Sequence, residues 1–223
     1  MKFTCKEIGA MSVQIFQYPT RRGTLPLRVA RGHFATSHSH INYYIDLTLT
    51  KHNLSEAREA AIQLASKFKS SMVIDTILCL DGMEVIGACM ASELTKVGFN
   101  SVNQNRSIYV VTPEHTTGSQ LLFRDNVSPM IRGKRILILA ASVTTGYTAQ
   151  AAFEAIQYYG GQAVGICAIF SMLSSCFGYP VNSIFHTEDM MPDYISTQSY
   201  ECPLCKEGVK LDAMVNTYGM SEF

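Results

Sequence analysis

The segment 135–170 constrains the fold more than any other part of the chain. It reads RILILAASVTTGYTAQAAFEAIQYYGGQAVGICAIF, in which two continuously apolar runs flank a stretch with helical periodicity. A strand that is covered on both faces is apolar throughout, as the strands of parallel sheets are. Gly160 and Gly161 end the helical stretch. Strand, helix and strand within this length predict a βαβ unit with parallel pairing and a right-handed crossover.

Earlier strand and helix patterns extend this unit to a doubly wound α/β core. Asn53 is a helix cap with Glu56 as its capping-box partner, and apolar residues recur at helical spacing as far as Phe68. A strand is predicted at 72–80 and a helix at about 84–94, with a short strand at 107–112. The β-like run 41–50 lies before them. Residues 113–132 predict a long mobile loop or a small hairpin, a kind of segment that is often functional.

The termini lack this alternation, and the tail from Ser174 is predicted to be an appendage that folds back with the N-terminal segment. One domain is therefore expected, with a core at about 52–172 and a small hood from about 1–51 and 173–223. A chain of 223 residues with 47% hydrophobic residues can bury such a core.

The charge and cysteine content exclude several classes of protein. Eighteen basic and eighteen acidic residues give a formal net charge of zero, so neither nucleic acid nor an anionic membrane is the expected partner. Residues 1–16 show no signal peptide, and no apolar run approaches the ~20 residues of a membrane span. The expected location is cytoplasmic. Seven scattered cysteines argue against a disulfide framework.

The candidate site lies where the strand 136–139 leads into its helix. Free backbone N–H groups and the positive end of the helix dipole converge at such a position, which is suited to a phosphate monoester. A bare Thr-Thr-Gly also occurs in ordinary strand–helix turns, and it is the surrounding strand and helix that favour phosphate. The candidate phosphate-binding residues are Ser142, Val143, Thr144, Thr145, Gly146, Tyr147 and Thr148.

This segment resembles the 5-phosphoribosyl-1-pyrophosphate (PRPP) binding segment of type I phosphoribosyltransferases, and the chain as a whole resembles orotate phosphoribosyltransferases. The resemblance includes residues 32–46, which are similar to the part of the family that contributes to the base pocket, and the segment DTILCLDGMEVIGACMASEL, which is similar to its pyrophosphate loop. It implies a parallel sheet flanked by helices, a small-molecule phosphoribosyl or nucleotide ligand, Mg²⁺ as cofactor and a homodimer. Phe34, Tyr43 and Tyr44 would form the base pocket; alternatively they mark strand faces and core.

Two departures leave turnover open, and no catalytic residue is assigned. Ala140 and Ala141 stand where the family has two acids that are expected to hold the ribose hydroxyls. Residues 111–131 contain Arg124 as their only Lys or Arg, with His115 nearby, where orotate enzymes carry a lysine-rich stretch. The resemblance implies an enzyme of pyrimidine nucleotide metabolism, whereas the departures favour an inactive sensor or regulatory partner that binds PRPP or a nucleoside monophosphate.

The pyrophosphate-loop equivalent comprises Asp81, Gly82, Met83 and Glu84. Asp81 or Glu84 offers oxygen ligands to Mg²⁺ through water. The alternative is that Asp81 and Gly82 only end a strand while Glu84 favours the start of a helix.

Cys202 and Cys205 form half of a zinc site, because a structural zinc ion needs four ligands. The other two are expected from His186, Cys176 or a second subunit; unligated thiols are the alternative. The histidines at 33, 38 and 40 have no cysteine near them in the sequence, so no metal is predicted there.

Overall fold

A computed structural model of the chain describes residues 13–19, 25–98, 101–116, 120–187, 191 and 193–223. Residues 1–12, in which no signal peptide is predicted, and residues 117–119 of the predicted loop lie outside the described part. The chain forms two compact units, one of residues 50–186 and one of residues 1–49 with 187–223. The single domain and its boundaries stay a prediction.

Strands and helices are numbered in chain order. The strands are β1 Ile15–Pro19, β2 Pro26–Ala35, β3 His40–Asp46, β4 Thr76–Cys79, β5 Tyr109–Val111, β6 Glu114–His115, β7 Leu121–Leu122, β8 Arg135–Val143, β9 Gln162–Ser171, β10 Ser175–Cys176, β11 Tyr179–His186, β12 Ser196–Thr197, β13 Ala213–Asn216 and β14 Gly219–Glu222. The helices are α1 Thr48–His52, α2 Leu54–Ala65, α3 Glu84–Thr95, α4 Tyr147–Tyr158 and α5 Pro203–Lys206, with a 3₁₀ turn at Ser128–Met130.

The unit 50–186 is built on a mainly parallel sheet. Its strands follow the order β5-β4-β8-β9-β11, and every pair among them is parallel, while the short β10 pairs antiparallel with β11. The central strand β8 is fully buried from Ile136 to Leu139, which explains its continuously apolar sequence. The predicted α/β fold with a parallel sheet is confirmed. All five carboxyl ends therefore lie at one edge of the sheet.

The helices of this unit follow their predicted patterns. Asn53 caps α2, and its side-chain oxygen accepts hydrogen bonds from Ser55 N and Glu56 N. α3 packs closely on β4, since a Cβ on Gly87 would overlap Cys79 Sγ. α4 buries Ala149, Ala152, Ala155 and Ile156, which agrees with the helical periodicity of this stretch, while Phe153 is partly buried.

Three local predictions need correction or refinement. The tail beyond Ser174 is not wholly irregular, because β11 adds to the parallel sheet beside β9. The run 41–50 is a strand only as far as Asp46, whose side chain accepts from Thr48 N at 2.9 Å at the start of α1. Residues 113–132 contain the small hairpin β6–β7.

The second unit combines N-terminal and C-terminal segments in one sheet of order β12-β3-β2-β13-β14, with β1 also on β2. β13 runs parallel to the end of β2, where Ala213 pairs with Phe34. Phe34, Ile41, Tyr44 and Val215 belong to its apolar core. Among the described residues of the chain, no helix is long and apolar enough to cross a membrane.

Candidate functional site

The strand order of the parallel sheet places a topological switch point between β4 and β8. From β4 the chain passes through α3 to β5 on one side, and from β8 it passes through α4 to β9 on the other side. At such a switch point the loops after the two strands diverge, and open α/β sheets bind ligands there. The loop after β4 contains Asp81 to Glu84, and the loop after β8 contains the predicted phosphate-binding residues.

The loop after β8 presents a helix N-terminus without a side-chain cap. β8 ends at Val143 and α4 begins at Tyr147, with Gly146 as the N-cap at φ +85° and no side-chain cap hydrogen bond. Gln150 N donates to Gly146 O at 2.8 Å. The amides of Tyr147 and Thr148 before it have no acceptor within the helix, because a helical N–H bonds four residues back. An anion at this position would accept hydrogen bonds from these two amides.

The sheet holds this loop in place through Ser171, a fully buried residue at the end of β9 that sequence reasoning did not identify. Its Oγ lies 3.2 Å from Val143 O and 2.7 Å from Leu173 O, and it accepts from Leu173 N at 3.1 Å. Met172 N donates to Val143 O at 2.9 Å. A Cβ on Gly146 would lie 3.3 Å from Cys176 Sγ, so the turn rests directly on the segment after β9.

Ala140 and Ala141 are part of β8 and are almost fully buried, with exposed fractions of 2% and 4%. Successive residues of a strand point to opposite faces. Ala140 packs in the apolar cluster that contains Ala149 and Ala152 of α4. The side chains of Ala140 and Ala141 therefore lie on opposite faces of β8.

Asp81 lies next to the predicted ribose site. It has φ +57°, followed by Gly82 at +77°, so the chain turns sharply after β4. Burial raises the pKa of the Asp81 carboxyl, while a hydrogen bond from the backbone of Ala141 and the charges of Lys51 and His115 act in the opposite direction. The Asp81 carboxyl group thus lies against the backbone of Ala141 in β8.

Lys51 adds a cation that the sequence did not reveal. Lys51 Nζ donates to Asp81 O at 3.1 Å, and Lys51 is only 6% exposed. The connection joins α1 to a turn thirty residues further along the chain. At this position beside the predicted pyrophosphate loop, the lysine would provide positive charge to an anionic ligand.

The other loop residues have partners within the unit. Met83 is fully buried and Glu84 is exposed at the start of α3, where its carboxylate accepts from Thr112 Oγ1 at 3.0 Å. Arg124 binds the Glu114 carboxylate across the hairpin, with Nη2 at 2.7 Å from Oε2. Both the ligand-binding and the strand-end interpretations of Asp81 and Glu84 stay predictions.

The proposed base-pocket residues lie in the second unit. Phe34 is fully buried against Tyr44, with ring centroids 6.1 Å apart, and burial raises the pKa of Tyr44 to about 12. Tyr43 donates from its hydroxyl to Asp193 Oδ1 at 2.9 Å and stacks on Tyr194. These contacts show how the rings are held, while their role toward a base stays a prediction.

The same unit brings Cys202 and Cys205 together with His33 and His40, and their four ligand atoms lie within 4.8 Å of one another. The expectation that no cysteine completes a set with these histidines is therefore wrong. His38 is exposed and not part of the group.

His186 and Cys176, the ligands suggested by the sequence, belong to the unit 50–186. His186 Nε2 lies 2.8 Å from Ser183 Oγ, and Cys176 packs in the apolar cluster.

Comparison with known proteins first defines the class. No family model matches the chain. Solved structures that share its fold include Leishmania donovani UMP synthase, with a TM-score of 0.53 and 18% identity over 74% of this chain and 34% of that one. Orotate phosphoribosyltransferase from Aeropyrum pernix gives a TM-score of 0.51 and 15% identity over 74% of this chain and 90% of that one. The chain has the type I phosphoribosyltransferase fold.

Sequence similarity then narrows the class. The chain is 26% identical over 194 residues to orotate phosphoribosyltransferase of Caldanaerobacter subterraneus subsp. tengcongensis, covering 82% of this chain and 88% of that protein. It thus resembles orotate phosphoribosyltransferases over most of their length. It spans only about a third of the UMP synthase chain.

Proposed function

We propose that the chain binds a phosphoribosyl ligand, either PRPP or a pyrimidine nucleoside monophosphate, with the ligand's 5′-phosphate on the loop 142–148. The observation that carries the proposal is the uncapped start of α4 at the switch point of the sheet. There the loop amides donate to phosphate oxygens, and the helix dipole favours the negative charge. The similarity to orotate phosphoribosyltransferases supports the same ligand class.

The turn 81–84 would face the pyrophosphate of PRPP. Lys51 lies beside this turn and supplies positive charge to the pyrophosphate. Asp81 and Glu84 offer the carboxylate oxygens that Mg²⁺ prefers, and the ion usually keeps several waters and binds substrate phosphates as well. When bound, Mg²⁺ would neutralise charge on the pyrophosphate group.

Two versions of this function differ in turnover. An orotate phosphoribosyltransferase-like enzyme of pyrimidine metabolism is the first. An inactive sensor or regulatory partner is the second, and it is favoured by alanine rather than an acid at positions 140 and 141. Each hydrogen bond to a charged acceptor contributes about 1.5–3 kcal/mol, and methyl groups accept none. Ribose binding and orientation would therefore depend on the remaining groups, such as Asp81.

The test is calorimetric titration of PRPP, orotate and UMP, followed by an assay for pyrophosphate release. The decisive variant is Thr145→Glu, which places a carboxylate at an exposed position of the loop. Gln157→Glu makes the same charge change at the opposite end of α4 and serves as the control. We expect PRPP affinity to fall at least about tenfold in the first variant alone, since like charges repel at a phosphate site. Equal affinities in both variants would disprove the phosphate assignment.

Turnover is judged separately from binding. Release of pyrophosphate in the presence of a base identifies an enzyme, whereas binding without release identifies the sensor. The proposal also includes a homodimer, a cytoplasmic location and Zn²⁺ at Cys202 and Cys205. Light scattering at micromolar concentration checks the dimer, and a monomer there would contradict it.

A further inference from the structure

The four side chains in the second unit have the separations that a tetrahedral zinc ion imposes on its ligands. His33 Nε2 lies 3.5 Å from Cys202 Sγ, 3.6 Å from Cys205 Sγ and 3.2 Å from His40 Nδ1. With Zn–S near 2.3 Å and Zn–N near 2.0–2.1 Å, a tetrahedron has edges of about 3.3 Å between nitrogens and about 3.5 Å between nitrogen and sulfur. The three separations from His33 agree with these edges to within about 0.1 Å, and Cys205 Sγ lies 3.2 Å from His40 Nδ1, slightly closer than a nitrogen–sulfur edge.

A hydrogen bond fixes the proton on His33 in the form that metal binding needs. His33 Nδ1 lies 2.9 Å from Val209 O. A carbonyl oxygen only accepts, so Nδ1 carries the hydrogen and Nε2 keeps a lone pair directed at the two thiols. An imidazole that ligates a metal usually donates its other N–H to such a backbone carbonyl, which fixes the orientation of the ring. His33 is 1% exposed and cannot reorient freely.

The segment that carries the cysteines is a tight turn shaped for two ligands. Cys202 directly precedes α5, and Lys206 N donates to Cys202 O at 3.1 Å. Gly208 N donates to Cys205 O at 3.0 Å, and Gly208 has φ +74°. The thiols of this turn lie within 4.8 Å of each other. The cysteine pair thus resembles a zinc knuckle in geometry as well as in spacing.

We propose that His33, His40, Cys202 and Cys205 form a structural zinc site that fastens the C-terminal segment to β2 and β3. Four protein ligands leave no open position for a substrate, which is the arrangement of structural rather than catalytic zinc. The neighbouring backbone supports the same connection, because His33 N donates to Asp212 Oδ2 at 2.7 Å and Asp212 N donates to His33 O at 2.8 Å. The site does not depend on phosphate binding.

The experiment measures zinc in the full chain after purification without metal affinity resins. Wild-type protein should contain stoichiometric zinc by elemental mass spectrometry. His40→Ala and Cys205→Ser should lose it, whereas the matched control His38→Ala should retain it, because His38 is exposed and outside the cluster. Replacement of zinc by Co²⁺ should give the intense visible absorption of a tetrahedral ion together with thiolate charge-transfer bands.

A further variant keeps the test decisive if the ligand-deleted proteins do not fold. His40→Cys preserves four ligands, so zinc should remain while the thiolate charge-transfer intensity of the Co²⁺ form increases. Wild-type protein without zinc, or with both cysteines oxidised in a thiol titration, would overturn the site. Retention of full zinc in His40→Ala and Cys205→Ser would overturn the ligand assignment. PRPP binding can be present or absent in each of these cases.

Discussion

Gly146→Ala is expected to weaken both the fold and the binding of phosphate. Gly146 has φ +85°, and the left-handed region costs an L-residue about 1–2 kcal/mol. The new Cβ would lie 3.3 Å from Cys176 Sγ and 3.6 Å from Leu173 Cδ1, so Sγ must move by a few tenths of an ångström. We expect the free energy of unfolding to fall by about 1–3 kcal/mol.

The effect on binding follows from the same strain. The turn can relieve it by rotating the peptide groups that carry the loop amides. Loss of a single hydrogen bond to a charged phosphate costs about 1.5–3 kcal/mol, which raises the Kd for PRPP at least about tenfold. Urea denaturation measures the stability, and calorimetry on the folded variant measures the affinity.

Gly133→Ala is the control for backbone strain. Gly133 has φ +67° and nothing within 4 Å of an added Cβ, and its N–H donates to Gly160 O in a turn before β8. It should lose stability from the backbone conformation alone and keep its affinity for PRPP. If both variants bound PRPP as the wild type does, the proposed role of the α4 N-terminus would be refuted.

Two further predictions concern charge in the parallel sheet. The Asp75 carboxylate accepts hydrogen bonds from Arg135, which lower the pKa of Asp75 to about 2. Asp75→Asn should therefore lower the free energy of unfolding by about 1 kcal/mol at neutral pH, after allowance for solvent screening. In thermal unfolding series, this difference from the wild type should vanish as the pH falls from about 4 toward 2. Ala140→Glu places a carboxyl group at a site that is 2% exposed. The variant should be less stable than the wild type by about 3 kcal/mol or more above about pH 7, and by less near pH 4, where the carboxyl group is neutral. Urea unfolding with the same m-value and an unchanged midpoint would contradict this prediction.

The fold was predictable where the burial of residues in the structure produces a recognisable apolar pattern in the sequence. β8 is apolar from Ile136 to Ala141 because neighbouring strands and both faces cover it, and the buried residues of α4 recur at helical spacing. β11 escaped prediction because most of its residues are only partly buried and produce no apolar run. At the start of α1 the backbone N–H of Thr48 donates to the Asp46 side chain. This local hydrogen bond favours a helix and overrides the β-like composition of the stretch.

The candidate sites divide in a similar way according to sequence separation. The loop after β8 could be located because strand, glycine and helix are adjacent in the chain. Lys51 and Asp81 are thirty residues apart, and His33 and Cys202 are separated by 169 residues. A single sequence contains no record of which distant residues meet, so half of the His–Cys cluster and the lysine at the turn required the structure.

The proposed phosphate and ribose interactions depend on different groups, the first on backbone amides and the second on side chains. Phosphate at a helix start is held by peptide amides, which every sequence supplies as long as the strand, Gly146 and α4 keep their geometry. In the proposed site, ribose recognition would depend on side chains, and the methyl groups of Ala140 and Ala141 accept no hydrogen bond, while their small size fits the packed interior of β8. One function can therefore be lost while the other is kept. The proposal that the chain binds a sugar phosphate is therefore independent of whether it transfers the sugar.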